Sequence, residues 1–176
     1  APGEASLLAE MEQAQPTDPP VFLPHLTGER TPHNDPHATA AFVGLRADHG
    51  RADMTRAVLE GVAFGLAENL AILARRGAPQ GAITAIGGGA RSAAWLRLVA
   101  AATNRPIRTV AGSEVGSALG AARLGRAAAG EGTLAEIFAP PEVTAEYDPD
   151  TALRDALAPR QALHGRLYQA LRAVRP

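Results

Sequence analysis

Between Ala82 and Trp95 the chain reads AITAIGGGARSAAW, a short β-branched run, three consecutive glycines and the start of an Ala-rich helix. A strand that ends in Gly87, Gly88 and Gly89 leaves backbone without Cβ atoms, so a flat ligand or a phosphate can approach it closely. Ser92 is placed to cap the next helix, and the free N–H groups of that helix's first turn then point to the same spot. The plainer alternative is a strand-to-helix turn that needs glycine for its geometry alone.

Two known glycine motifs can be tested against this stretch. The dinucleotide fingerprint wants a third glycine where Ser92 stands and an acidic residue about 20 positions on. The first requirement fails, and Glu114 meets the second only loosely. The phosphate loop of P-loop enzymes needs Gly-Lys-Ser/Thr, and this chain contains no lysine.

At 176 residues the chain is long enough for one domain with a real core. Hydrophobic residues make up 46% but aromatics only 4%, which favours closely packed helices over a large aromatic cavity. The net charge of −1, with every basic side chain an arginine, gives no electrostatic footprint for nucleic acid or an anionic membrane. The absence of cysteine excludes disulfides, thiolate catalysis and cysteine-based zinc sites. No uninterrupted apolar run reaches the roughly 18 residues of a membrane span, and no signal peptide is visible. A cytoplasmic protein without a membrane or nucleic-acid partner is the expectation. The start at Ala1 rather than at methionine points to a longer polypeptide.

Along the chain, Ala5 to Gln15 has a helical pattern with Leu7, Leu8 and Met11 on one side, ended by the Pro16–Pro20 cluster, so residues 1–20 read as a surface helix and a stiff linker. Val21 to Leu23 is a brief extended run leading into PHLTGERTPHNDPHA, a loop of a length that is usually functional or disordered. In it His33 and His37 stand four apart, a metal-ligand spacing on a helix. Pro32 and Pro36 argue against a helix, and no third ligand accompanies them, so no metal site is assigned. Glu29 and Arg30 read as a local ion pair, or as an arginine free to reach an anion. Ala40 to Leu45 reads as a strand and about Ala52 to Arg76 as the longest helix. Val58, Val62 and Leu66 form the stripe expected to pack it on the sheet. Glu60, flanked by apolar residues in mid-helix, reads first as a glutamate on a solvated stripe, with a buried functional carboxylate as the alternative. Ala93 to Asn104 is the next helix, carrying Trp95, and Ile107 to Val110 the next strand. Val115 to Ala129 is a helix with a small-residue face suited to close packing. Residues 139–176 read as a closing linker, which includes EVTAEYDPD, and a last helix, Thr151 to Val174, interrupted at Pro159. The order of strands and helices argues for an α/β layer structure, with ligands beyond the carboxyl ends of the strands.

Gly44 and Leu45, followed after seven residues by Asp53 and Met54 and then by Ala57, Val58, Leu59 and Glu60, resemble the second signature of the FGGY carbohydrate kinases. The likeness continues through IGGGARSAAW, VGSALGAARLG, YDPD and LYQAL, and so covers nearly the whole chain, 1–176, as a C-terminal domain fragment. Within the family FLPHLTGERTPHNDP is most like the bacterial xylulokinases. Gluconate kinases share the GER but not the TPHNDP after it, and glycerol kinases carry a different loop.

The resemblance implies an α/β, RNase H-like, actin-like ATPase domain, the nucleotide half of a two-domain kinase that closes on ATP, Mg²⁺ and a sugar, here D-xylulose. The family's Gly-Gly-Ala turn, which lies against adenosine and the α-phosphate, matches Gly88, Gly89 and Ala90. With their neighbours this makes Gly87, Gly88, Gly89, Ala90, Arg91, Ser92 and Ala93 the nucleotide-binding candidates. Relatives often place an asparagine near the adenine where this chain has Ala93, which removes one side-chain contact and leaves the backbone ones. The family's catalytic aspartate, its sugar-binding residues and both phosphate-gripping Gly-Thr loops lie upstream of anything matched here. No catalytic residue and no metal ligand is therefore assigned, the missing N-terminal kinase domain is the implied partner, and a homodimer is carried as an expectation. The rival from another class is a non-catalytic binding module that keeps the actin-like half-fold.

Overall fold

The computed structural model describes residues 3–14 and 18–174. Its elements in chain order are α1 (Glu4–Gln13), β1 (Val21–Leu23), β2 (Ala41–Val43), α2 (Arg51–Arg75), β3 (Ile83–Thr84), a 3-10 turn (Gly88–Arg91), α3 (Ala93–Thr103), β4 (Ile107–Val110), a second 3-10 turn (Ser113–Val115), α4 (Ser117–Ala128), α5 (Leu134–Ile137), β5 (Val143–Tyr147) and α6 (Thr151–Val174). Of the expected leading helix and linker, Gln15 to Thr17 fall outside the described residues, and Pro19 and Pro20 are buried.

The strands form two sheets. β1 and β2 pair antiparallel, with Phe22 opposite Phe42 and their rings stacked 4.4 Å apart. The other sheet has the order β3-β4-β5, parallel between β3 and β4 and antiparallel between β4 and β5. The strand that feeds the glycines is thus an edge strand, and β4 is the central one. Val143 to Tyr147, expected as linker, is the third strand. Paired side chains hold it, Thr109 Oγ1 lying 2.9 Å from Thr144 Oγ1 and Arg108 Nε 3.0 Å from Glu146 Oε2.

Local chemistry explains where the main helices start and stop. The carboxylate of Asp53 accepts the Gly50 N–H at 2.7 Å and so caps α2, while Asn104, in the left-handed conformation at φ 52°, ends α3. The main core joins Ala63 and Phe64 of α2, Leu96 and Val99–Ala102 of α3, Ile107 of β4 and Leu157 of α6. Burying each large apolar side chain there contributes about 1.5–3 kcal/mol. A smaller cluster joins Leu23, Ala38 and Tyr168, with Leu167 and Leu171 against it.

α2 does not bury the stripe expected of it. Val58, Val62 and Leu66 are 36–40% exposed, and the inner face is Ala57, Glu60, Gly61, Ala63, Phe64 and Ala67. Close approach by α3 and β1 selects small residues there. A Cβ on Gly61 would lie 2.3 Å from the carbonyl oxygen of Phe22. By length and hydropathy α2 alone among the described helices is apolar enough to cross a membrane, but here it packs against α1, α3, α6 and β1.

Two other helices depart from expectation. α4 buries no residue, and Leu124 on it is 63% exposed, so its small-residue face is not packed against the described residues. α6 runs through Pro159 without a break. The lost backbone hydrogen bond and the ring clash cost about 3 kcal/mol. They are offset by Leu157 in the core and by the polar anchors of Arg160 next to that proline.

Candidate functional site

The glycine stretch folds as a bend and one tight turn. Gly87 sits at φ +83°, which favours glycine, and its N–H donates to the Ser113 carbonyl at 2.7 Å, tying the bend to the segment after β4. Residues 88–91 then form the 3-10 turn, closed by the Ala90 N–H donating to the Gly87 carbonyl at 3.1 Å. Ser92 comes next as the N-cap of α3, its Oγ accepting the Trp95 N–H at 3.2 Å.

An open cavity of about 700 Å³ lies beside this turn. Gly88, Gly89, Arg91, Ser92 and Ala93 line it with Ala94, Trp95 and Arg97 of α3, Leu59 of α2, and Glu4, Ala5, Leu8, Ala9 and Glu12 of α1. Gly87 and Ala90 are not among the lining residues. The two lining glycines differ in kind. No atom lies within 4 Å of a Cβ built on Gly88, whereas one on Gly89 would meet Trp95 Nε1 at 3.2 Å. Gly88 is therefore open floor, and Gly89 is where the turn rests on the indole. Ala93 offers only a methyl group, and the exposed Arg91 and Arg97 bring positive charge to a cavity that Glu4 and Glu12 also line.

This arrangement can receive a flat, partly apolar group against bare backbone. Its lining contains no paired acid and base. The ionisations that the fold shifts lie elsewhere. Asp48 is lowered by the hydrogen bond from Arg46, Glu136 by the Thr133 N–H and hydroxyl, and His164 to about 4 by burial and then by neighbouring His25. Among the described residues no three histidine, aspartate or glutamate side chains converge on a metal-sized site. His33 and His37 have different partners. The ring of His33 stacks on Tyr168, and the backbone N–H of His37 donates to Asp35 Oδ1. Arg30 is exposed but lines no part of the cavity. Glu29, expected to pair with it, turns inward and accepts the His33 N–H at 2.7 Å.

Sequence reasoning set the buried reading of Glu60 behind the solvated one. Glu60 is 1% exposed, with Arg56 Nε at 2.8 Å and Arg160 Nε at 2.7 Å. The signal was Gly61 beside it and Arg56 one turn before, a glycine that marks close approach and a partner at i−4.

Comparison with known proteins adds to this geometry. The sequence model of the FGGY family of carbohydrate kinases, C-terminal domain, matches residues 2–129. The chain is 41% identical over 168 residues to the xylulose kinase of Escherichia coli strain K12, covering 94% of this chain and 35% of that protein. With the xylulose kinase of Klebsiella pneumoniae the identity is 37%, covering 98% and 36%. A crystal structure of a xylulose kinase from Brucella ovis superposes with a TM-score of 0.85 at 40% identity, over 97% of this chain and 36% of that one. The chain thus spans about a third of the length of the relatives it matches.

Proposed function

Since the chain belongs to the FGGY family of carbohydrate kinases and carries its actin-like, RNase H-like fold, we propose that it is the nucleotide-side part of an ATP-dependent kinase that phosphorylates D-xylulose to D-xylulose 5-phosphate. The observation that carries this reading is Gly88, a residue of bare backbone opening on a cavity of about 700 Å³. The xylulose kinase relatives support the choice of sugar.

In this reading the adenosine of ATP lies against Gly88 and Gly89, with Leu8, Leu59 and Ala93 as apolar surroundings. Gly87 and Ala90 act one step back, fixing the bend. Ser92 holds the start of α3, and Arg91 stands toward the phosphates. Phosphoryl transfer depends on positioning and on stabilising charge during an in-line displacement. This chain supplies positioning of the nucleotide. In this reading the base that takes the sugar hydroxyl proton, and the ligands of Mg²⁺, lie on the rest of the polypeptide. Cytoplasmic location and a homodimer go with the same proposal.

The test is a coupled ADP-release assay with and without D-xylulose, on the full-length protein and on the isolated 176 residues. Sugar-dependent turnover is expected from the full-length protein alone. Turnover by the isolated chain, or none by the full-length protein, would overturn the reading.

A further inference from the structure

Resting on the nucleotide reading of the cavity, we propose that Trp95 of α3 is a positioning residue for ATP, its indole holding the Gly88–Gly89 backbone in the form that receives the ligand. Three glycines in a row make the most mobile backbone a chain can have. Hydrogen bonds fix this stretch at its ends. The Gly87 N–H donates to the Ser113 carbonyl at 2.7 Å, and the Ser92 N–H donates to the Gly89 carbonyl at 3.3 Å. Gly88 and Gly89 themselves are exposed and have no side chains to anchor them.

What meets them is the indole. In the direction a Cβ would take from Gly89, Trp95 presents Nε1 at 3.2 Å and Cδ1 at 3.4 Å from that Cβ position, whereas a Cβ on Gly88 would meet nothing within 4 Å. The ring thus stands against one glycine and leaves the other open to the ligand. Trp95 is itself held. Its backbone N–H donates to Ser92 Oγ at 3.2 Å, and its half-buried side chain packs on the core that contains Leu96 and Val99. A large flat side chain with few rotatable bonds, fixed at its base and on one side, makes a stiff prop.

Trp95, Gly88 and Gly89 all line the cavity of about 700 Å³, so the backbone that the indole fixes is the surface the nucleotide would meet. Ordering that backbone before the ligand arrives removes the entropic cost from the binding step. The side of Gly89 that faces the ring is its Cα, which neither donates nor accepts a hydrogen bond. The support is therefore one of shape, and another flat ring can supply it.

The experiment uses the full-length kinase. Trp95→Leu and Trp95→Met keep apolar volume on the core and take the flat ring away from Gly89. Each should raise KM for ATP about five- to thirtyfold, as when binding must order the backbone of one further residue. KM for D-xylulose should stay within about twofold. Trp95→Phe, which restores a flat ring, should bring KM for ATP back to within about threefold of the unmodified value. Amide hydrogen exchange of the ligand-free enzyme reads the same support apart from turnover: Gly88 and Gly89 should exchange faster in the Leu and Met variants than in the unmodified or Phe enzyme. Unchanged KM for ATP in a folded Leu or Met variant, equal rises in both KM values, no recovery in Trp95→Phe, or unaltered exchange would overturn the proposal while leaving the kinase reading intact. Unfolding of both the Leu and Met variants would overturn it too, by showing that the indole serves the core rather than the turn. Absence of sugar-dependent ADP release in the unmodified enzyme would overturn both.

Discussion

Arg160 of α6 donates its Nε to Oε2 of Glu60 at 2.7 Å, joining residues a hundred positions apart in the sequence. The same guanidinium reaches Asp18 Oδ1 at 2.9 Å and the carbonyls of Pro19 and Pro20 at 2.7 and 3.2 Å. Arg56 Nε occupies the other oxygen of Glu60 at 2.8 Å. One buried carboxylate therefore binds α2 to the last helix and to the segment that enters β1. Without Glu60, Arg160 keeps Asp18 and the two carbonyls but loses its buried carboxylate, and Arg56 loses its partner. Glu60→Ala should therefore cost about 1.5–3 kcal/mol in urea denaturation of the full-length protein, as for a lost hydrogen bond to a charged group. A loss below about 1 kcal/mol would mean that the pair is no more than a surface contact in effect.

Gly61 gives a second, independent test of the same helix. In an exposed helix, glycine to alanine would gain about 1 kcal/mol from propensity. Here the added methyl meets the backbone carbonyl of Phe22 at 2.3 Å, which no rotamer change can relieve. Gly61→Ala should therefore destabilise by about 1–3 kcal/mol as an overpacked contact, measured by urea midpoint. A stabilised variant would contradict the packing of α2 on β1.

The long helices were legible in the sequence because their apolar spacing, caps and Gly or Pro ends are local signals. The Ser92 cap was legible for the same reason. What was not legible depended on partners far away in the chain. The stripe Val58, Val62 and Leu66 has the right period, yet the inner face went to Ala57, Glu60, Gly61, Ala63, Phe64 and Ala67, with β1 coming so close at Gly61 that no side chain fits there. Glu60 looked solvated because Arg160 lies a hundred residues on. VTAEY looked like linker because a short strand beside two prolines declares itself only through its pairing with β4. For the candidate site, the sequence pointed to the glycines, but the division between open Gly88 and packed Gly89 depends on where Trp95 turns.

His164 sets a pH dependence. It is 3% exposed, stands edge-on to Phe64 at 5.6 Å, and its Nε2 has no hydrogen-bond partner among the described residues. Burial, then the neighbouring His25, push its pKa down to about 4. The unfolded chain takes up this proton near pH 6.5, the folded chain only near 4. The associated stability is thus complete above about pH 6.5 and is lost as the pH falls toward 4. Between about pH 7 and about pH 4.5 this one group should cost about 2–3 kcal/mol. His164→Leu should flatten the urea-midpoint profile over that range relative to the unmodified protein. Parallel profiles would show that His164 takes up its proton as readily folded as unfolded.

Gly88 is the open floor on which the nucleotide proposal rests, and the most direct measurement is the affinity of the full-length kinase carrying Gly88→Val for ATP. No atom lies within 4 Å of a Cβ at this position and the backbone there is not in the left-handed region, so the variant should fold with an unchanged melting temperature. The branched side chain would project into the space where the ligand meets bare backbone. A rise in the ATP dissociation constant of about tenfold or more, some 1.4 kcal/mol, with the fold intact, is the predicted result. Unaltered ATP binding by a folded Gly88→Val enzyme would contradict the assignment of this cavity to the nucleotide.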